Sequence, residues 1–236
     1  MKMNIAIISG TFHPDSGGPS TYLLNLLPEL SARGHDLRVL TFGEPHAHDY
    51  GYPVIRQTRT QRIPLRLLNF SRKMVTLLRW ADVLYINGYV FPLLWLRWLY
   101  RGRVVAKIVG DFTWEYAYRN QLTTLDAVAF QSAPHTLKLR LLRAVYFRAV
   151  GLADTVIVPS EHLARVVRMW GYPSERIKVV YNGIPESDLH TVERAALRHA
   201  LGLPLDVPLL LYVARLIPLK GAQVAVAALD HLPSDY

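Results

Sequence analysis

The feature that most constrains the fold is the repeated alternation of short, β-branched apolar runs with segments of helical length. Seven runs predict strands, and in chain order they are NIAIIS, DLRVLTF, DVLYIN, RVVAKIV, DTVIVP, IKVVYN and LLLYVA. The intervening segments carry apolar residues at helical spacing, as in PSTYLLNLLPELSARG, which Gly34 is placed to end. This alternation predicts an α/β fold with a Rossmann-like parallel sheet and helices on both faces.

The predicted elements are divided unequally between two units. Residues 1–185 contain six of the strands and form the first predicted domain. Residues 186–205 follow the Asn-Gly turn at 182–183 and Pro185 and carry many polar side chains, which indicates a linker. Residues 206–236 hold a single strand and helix, the expected first unit of an incomplete second Rossmann-like domain.

Charge and composition limit the partners. Across 236 residues, 27 Lys and Arg against 18 Asp and Glu give a net charge of +9, which favours nucleic acid, a phospholipid surface or a phosphorylated substrate. Nucleic acid is disfavoured because no motif interleaves basic residues with aromatics and glycines. The absence of cysteine fits the cytoplasm. The apolar runs are too short or too interrupted for a signal peptide or a membrane-spanning helix.

Two turns are candidate phosphate sites, one with a pair of glycines and one with two cations. Gly17 and Gly18 follow the first strand and precede a helix starting near Pro19, where free backbone N–H groups favour an anion. A tight turn without a ligand explains this pair equally well, and the dinucleotide pattern G-x-G-x-x-G is absent. Arg215 and Lys220 flank a second predicted strand-to-helix turn, and two cations there suit a phosphate.

A polar segment follows the fourth predicted strand. In KIVGDFTWEYAYRN, Asp111, Trp114 and Glu115 fall at the carboxyl edge of the sheet, where open α/β sheets bind ligands. These three side chains are therefore candidates for ligand binding. An alternative is open: Glu115 and Arg119 pair along a helix while Trp114 belongs to the core.

The ordered motifs together resemble those of family 4 glycosyltransferases. The resemblance is carried by IAIISGTFHPDSGGPSTYLLNLLPELSARGHDLRVLT, followed by ADTVIVPSEH, IKVVYNGI and LLYVARLIPLKG, and it extends over nearly the whole chain. It implies the GT-B architecture, in which two Rossmann-like domains face each other across a cleft. It also implies a hexosyltransferase-like, metal-independent enzyme that transfers a sugar from a nucleotide-sugar to an acceptor with retention of configuration.

The resemblance assigns expected roles to individual residues. Arg215 and Lys220 match the pair that binds the donor diphosphate, and Gly17 with Gly18 matches the loop that packs against the donor phosphates from the opposite domain. The turn between the domains is formed by Asn182 and Gly183, where a hinge and a ligand contact are both open. The candidates for acceptor or sugar binding are Asp111, Trp114 and Glu115, with His13 in the first turn. No catalytic residue, donor sugar or nucleotide is assigned.

The chain departs from the family pattern at two places. Gly110 stands where many members carry the histidine of a His-Asp pair, and the sequence ends before the Glu-x7-Glu motif. The donor half is therefore expected to be truncated and the isolated chain inactive. The alternative function is a non-catalytic acceptor- or membrane-binding module that needs a partner. An unrelated Rossmann-type nucleotide binder is a weaker third hypothesis.

Cationic, leucine-rich segments suggest an anionic membrane surface and a lipid-linked acceptor as partners, with peripheral attachment to the inner membrane face. The cations are Arg62, Arg66, Arg72, Lys73 and Arg79, with Lys138, Arg140, Arg143 and Arg148. An ordinary solvated helix face is the alternative. No metal or other cofactor is predicted, since no Asp-x-Asp pair occurs and the HAHD stretch at 46–49 reads as an exposed loop.

Overall fold

A computed structural model describes residues 2–183 and 193–232 of the chain. It contains one sheet of seven parallel strands in the order β3-β2-β1-β4-β5-β6-β7. The strands are Asn4–Ser9 (β1), Asp36–Phe42 (β2), Val54–Gln57 (β3), Val83–Asn87 (β4), Arg103–Lys107 (β5), Thr155–Val158 (β6) and Ile177–Val179 (β7). The predicted parallel α/β sheet is confirmed.

Nine α-helices accompany the sheet in the described residues. They are Gly18–Ala32 (α1), Ile63–Leu78 (α2), Leu93–Leu96 (α3), Phe112–Arg119 (α4), Ala129–Ser132 (α5), Leu137–Gly151 (α6), Glu161–Met169 (α7), Arg194–Ala200 (α8) and Ala222–Ala227 (α9). Short 3₁₀ turns lie at Arg97–Leu99, Ser174–Arg176, Pro218–Lys220 and Ala228–His231.

Both faces of the sheet are covered because alternate strand residues point to opposite sides. Ile5 and Ile7 of β1 pack with Leu23 of α1 on one face. Ala6 and Ile8 belong to the larger cluster on the other face, to which α2, α3, α6 and α7 contribute buried side chains. The prediction of helices on both faces is therefore correct.

The structure differs from the predicted strands at two places. β3, a four-residue edge strand paired with β2, was not predicted. Conversely, LLLYVA at 209–214 forms no strand, and its apolar side chains face solvent, with Leu211 80% and Val213 83% exposed. A strand needs a neighbour to satisfy its backbone groups, and no described strand lies beyond β7.

The connection between the two halves lies partly outside the described residues. Residues 184–192, which include part of the predicted linker, fall in that gap, and α8 lies in the remainder of the predicted linker. In the described residues, no helix is long and apolar enough to cross a membrane.

Candidate active site

The first turn of the sheet is held by backbone geometry and by an arginine. Gly17 has a φ of 135°, a conformation that favours glycine, and it precedes the first residue of α1. Arg59 donates to the carbonyl of Gly10 at 3.2 Å and forms a salt bridge with Asp15. The turn that bears Gly17 and Gly18 is thus tied to the segment after β3, a contact that the sequence did not reveal.

His13 is fixed in the same turn. The Tyr50 hydroxyl donates to the His13 carbonyl and lies 3.0 Å from His13 Nδ1. With its proton donated to that carbonyl, the Tyr50 oxygen accepts from Nδ1 in the tautomer that carries the proton on this nitrogen. The rings of His46 and His48 lie 5.4 and 5.3 Å from that of His13. Desolvation, with further contributions from the charges of His13, Arg56 and His48, lowers the pKa of His46.

Asp111 acts as a helix cap in this structure. Its carboxylate is 2% exposed and accepts from the backbone N–H groups of Thr113 and Trp114, at 2.8 and 3.1 Å. It also accepts from the Thr113 hydroxyl and from Gln131 Nε2. These contacts explain why α4 begins where it does. The predicted contact between Asp111 and an acceptor stays a prediction. The Asp111 carboxylate already accepts four hydrogen bonds from within the protein.

Gln131 connects this cap to a buried arginine. Its Oε1 accepts from Arg143 Nη2 at 3.0 Å and from Trp170 Nε1 at 3.1 Å. Arg143 is buried between the rings of Phe130 and Phe147. Desolvation lowers the pKa of Arg143, and the charge of Asp111 partly opposes this effect. The prediction that Arg143 belongs to an exposed cationic face is therefore wrong.

Trp114 and Glu115 have different surroundings. Trp114 donates from Nε1 to the Leu125 carbonyl at 2.9 Å and packs on the cluster of Ala117, Phe130 and Leu139. This placement agrees with the alternative that Trp114 belongs to the core. Arg119 donates only to the Glu115 backbone carbonyl, and no salt bridge joins these two side chains in the described residues.

Glu115 occupies the space beside Gly110. A Cβ atom placed on Gly110 would collide with Glu115 Oε1, so the absence of a side chain at 110 makes room for this carboxylate. Burial raises the pKa of Glu115, and the charges of Arg119, Lys220 and Arg215 partly reverse that shift.

Arg215 and Lys220 lie on a loop that packs against α4. The 3₁₀ turn Pro218–Lys220 contacts α4, and Tyr212 donates from its hydroxyl to the Lys220 carbonyl at 2.8 Å. A groove of about 640 Å³ opens between the two segments. Its lining residues are Tyr118, Arg119, Gln121, Thr123, Thr124, Arg215, Ile217, Pro218 and Leu219.

The structure thus unites some predicted site residues and leaves others apart. Glu115 and the two cations share one region at α4. By contrast, among residues 2–183 and 193–232, no hydrogen bond or ion pair joins the Gly17–Gly18 turn to residues 215–220. The helix after Lys220 has only six residues, so the electrostatic attraction of its N-terminus for an anion is weaker than that of a longer helix.

Lys107 is a buried cation that the sequence interpretation missed. It ends β5 with 0% exposure and donates from Nζ to Asn182 Oδ1 at 2.6 Å. Its ammonium also lies 3.3 Å from the ring centre of Tyr22 in α1. Desolvation lowers the pKa of Lys107 to about 8. Asn182, the predicted interdomain turn, is therefore anchored to the sheet through this amine.

Lys107 belongs to a polar row across the sheet. Ser9, Asn87 and Lys107 occupy matching register positions on β1, β4 and β5. Asn87 Nδ2 donates to the Pro19 carbonyl at 3.1 Å, which connects the row to the start of α1. In the described residues, no group of histidine and acidic side chains is arranged to hold a metal ion.

Comparison with known proteins agrees with this architecture. The profile of Glycosyltransferase Family 4 matches residues 16–188. The chain belongs to Glycosyltransferase Family 4. It is 37% identical to a D-inositol 3-phosphate glycosyltransferase of Xylanimonas cellulosilytica, over 37% of this chain and 23% of that protein. It is 27% identical to the protein of the same name from Mycobacterium bovis, over 93% of this chain and 48% of that protein.

Solved structures share the fold at low sequence identity. The UDP complex of Anabaena Alr3699/HepE matches with a TM-score of 0.68 and 19% identity, covering 99% of this chain and 59% of that one. The catalytic domain of Arabidopsis thaliana starch synthase IV, bound to ADP and acarbose, matches with a TM-score of 0.62 and 17% identity, over 98% of this chain and 66% of that one. The predicted family and fold class are confirmed. The chain spans about half the length of the Mycobacterium relative.

Proposed function

We propose that this family 4 chain contributes the acceptor-binding domain and part of the donor phosphate site of a glycosyltransferase that uses a nucleotide-sugar. The observation that supports this function is that Arg119 and Arg215 line the groove at α4, while Lys220 ends the 3₁₀ turn that contacts the same helix. Guanidinium and ammonium groups there would stabilise the diphosphate that leaves when the glycosidic bond breaks. UDP in the Anabaena structures makes a uridine nucleotide the first ligand to test.

The residues of the chain have distinct parts in this proposal. Arg215 and Lys220 bind the leaving diphosphate, and the turn of Gly17 and Gly18 packs against it when the two halves close. Glu115, with a raised pKa, lies beside those cations and is placed to accept a hydrogen bond from a sugar hydroxyl. His13 faces the acceptor from the first turn. Metal independence and retention of configuration belong to the same proposal, and transfer is assigned to the assembled enzyme.

Calorimetry with UDP tests the donor site. We expect a dissociation constant on the order of millimolar, or roughly 4 kcal/mol, because a phosphate contact alone supplies few of the interactions of a full nucleotide pocket. Arg215→Ala and Lys220→Ala should each weaken binding at least fivefold. Arg194→Ala is the matched control, since it removes one exposed charge from α8 without lining the groove. If all three variants bind UDP with equal affinity, Arg215 and Lys220 do not contact its phosphates.

A membrane contact is the second part of the proposal. On α2, Ile63, Leu65 and Leu68 are exposed beside basic residues, and no acidic residue occurs in this helix. Trp98 is 77% exposed after α3, and Trp95 of α3 donates to Ser71 of α2 at 3.0 Å, which places the two segments side by side. Apolar side chains flanked by cations suit an anionic lipid surface at the cytoplasmic face and a lipid-linked acceptor.

Vesicle sedimentation tests this contact. Phosphatidylglycerol vesicles should bind the chain more strongly than phosphatidylcholine vesicles, with about 1 kcal/mol from each cation near the surface. Arg62→Gln with Arg79→Gln should weaken that preference. Arg33→Gln with Arg176→Gln removes the same charge from exposed positions outside α2 and should change it little. Equal binding to both vesicles would restore the alternative of an ordinary solvated face.

A further inference from the structure

The segment that follows β7, residues 181–183, is held to the sheet by one side chain. Ahead of it, the Val180 N–H donates to the Val158 carbonyl at 2.9 Å, which extends the pairing of β7 with β6 by one residue. Among the described residues, the 181–183 segment forms one hydrogen bond, in which Asn182 Oδ1 accepts from Lys107 Nζ at 2.6 Å. All three of its residues are exposed. Its position therefore depends on a contact with a buried amine.

Lys107 is fixed in the sheet independently of Asn182. It is the last residue of β5, is 0% exposed, and accepts at its carbonyl from the Gly88 N–H at 3.0 Å. Its ammonium lies 3.3 Å from the ring centre of Tyr22 in α1, a cation–π contact. The amine therefore has partners from two parts of the chain, α1 and the 181–183 segment, that are far apart in sequence.

A buried ammonium needs its hydrogen-bond acceptor. Desolvation lowers the pKa of Lys107 to about 8, so the amine is still mostly protonated at neutral pH. In the described part of the chain it pairs with no carboxylate. If Asn182 moved away, the ammonium would keep the face of the Tyr22 ring but lose its acceptor inside the protein, which is costly for a charged group. The charge on Lys107 therefore favours conformations in which Asn182 lies against the sheet.

The start of α1 is attached to neighbouring side chains. Asn87 of β4 donates from Nδ2 to the Pro19 carbonyl at 3.1 Å. Tyr85 of the same strand donates from its hydroxyl to the Tyr22 hydroxyl at 3.3 Å. β4 lies next to β5, so these contacts and that of Lys107 with Tyr22 fix one region of α1. Through Lys107, the helix that follows the glycine turn and the segment after β7 are attached to the same region of the sheet.

We propose that Lys107 is a positioning residue, whose ammonium holds Asn182 and α1 in a fixed relation and thereby sets where the chain leaves the sheet after β7. The position of the 181–183 segment does not depend on a ligand. One consequence rests on the proposed function: residues 215–220 follow this segment in the chain, and the glycine turn precedes α1. If both bind the leaving diphosphate, their alignment starts from the contact of Lys107 with Asn182.

Spin labelling tests this role, because the chain has no cysteine and one introduced cysteine reports a single position. A nitroxide on Tyr181→Cys, which replaces a side chain that is 69% exposed, should be restrained at neutral pH. Asn182→Ala should shorten its rotational correlation time by at least about twofold, and Lys107→Met should do the same. Asn182→Asp keeps an oxygen acceptor for the ammonium and should preserve the restrained spectrum.

A second label separates positioning from a general loss of stability. A nitroxide on Leu137→Cys replaces a side chain of α6 that is 81% exposed, and its spectrum should be the same in all these backgrounds. Lys107→Met with Asn182→Ala should mobilise the label at 181 no more than either substitution alone, because both remove one contact. Two results would overturn the proposal: an unchanged spectrum at 181 in Asn182→Ala, or mobilisation of both labels in that variant. Because Asn182 is exposed, its variant gives this answer even if Lys107→Met does not fold.

Calorimetry with UDP separates this proposal from the proposed function. Arg215→Ala should weaken UDP binding and leave the label at 181 restrained, since it lies outside the contact of Lys107 with Asn182. Asn182→Ala should mobilise the label and weaken UDP binding about threefold, because two mobile halves of a site lose more freedom on binding. A mobile label with unchanged UDP affinity would support the positioning role and contradict a diphosphate contact shared by the glycine turn and residues 215–220.

Discussion

Replacing the buried Lys107 with methionine should change how stability depends on pH. The side chain has 0% exposure, and among residues 2–183 and 193–232 it pairs with no carboxylate: its ammonium donates to an amide oxygen and lies against the Tyr22 ring. Desolvation lowers the pKa of Lys107 from 10.5 to about 8. That difference corresponds to about 3 kcal/mol against the charged form in the folded state.

The sign follows from proton binding. Between pH 8 and 10.5, the unfolded chain holds more protons at this amine than the folded chain, so the free energy of unfolding rises with pH. From about pH 7.5 to about pH 9.5, the increase from this residue should be about 2 kcal/mol. Burial raises the pKa of Tyr85 and Tyr146, which destabilises the fold near pH 10 and above and sets the upper limit of the experiment.

Urea denaturation at the two pH values measures this effect. The parent chain should gain about 2 kcal/mol more than Lys107→Met on going to the higher pH. Lys138→Met, at an exposed position, is the matched control and should follow the parent chain. If Lys107→Met shows the same pH dependence as the parent, Lys107 is not the buried cation that this reasoning requires.

Three further predictions concern the start of α4 and the segment 209–216. Asp111→Ala should lower the free energy of unfolding by about 2 kcal/mol, because four donors lose their acceptor, and a loss below about 0.5 kcal/mol would argue against the cap. Gly110→Ala should destabilise the fold by about 0.5 to 1 kcal/mol, because a Cβ there displaces only the end of the flexible Glu115 side chain, and Glu115→Ala in the same chain should recover most of that loss in a double-variant cycle. Independent effects would show that Glu115 moves aside without cost. Amides at 209–216 should exchange with solvent much faster than those of β1 and β4, and similar protection would indicate hidden packing of this segment.

The sequence predicted the central sheet well because buried parallel strands are continuous apolar runs. It missed Val54–Gln57 because an edge strand of four residues, two of them polar, has no such signal. It placed a strand at 209–214 because the run is apolar, although strand formation depends on a neighbour that sequence periodicity does not report. Periodicity therefore identifies a segment able to form a strand, and pairing decides the outcome.

Site residues differ in how visible they are in sequence. Gly17, Arg215 and Lys220 lie in motifs that resemble those of the family, and their role at a phosphate site stays a prediction. Lys107 also had a signal, since a lysine inside the apolar run RVVAKIV must either leave the strand or be buried. Arg56 and Arg59 had none, because their contacts with the first turn join residues more than forty positions apart. Long-range contacts of this kind require the folded chain.

The structure gives a physical explanation for the departure from the family pattern at Gly110. In sequence, the glycine only marks the loss of an expected histidine. In the structure, the Glu115 carboxylate occupies the space that a side chain at position 110 would take. Burial raises the pKa of this carboxylate, and the charges of Arg119, Lys220 and Arg215 reduce that shift. A carboxylate in that position repels a phosphate but accepts hydrogen bonds from hydroxyls. Under the proposed function, Arg215 and Lys220 would bind the diphosphate beside this negative charge, so protonation of Glu115 should strengthen UDP binding as pH falls, and calorimetry on Glu115→Gln should show no such effect.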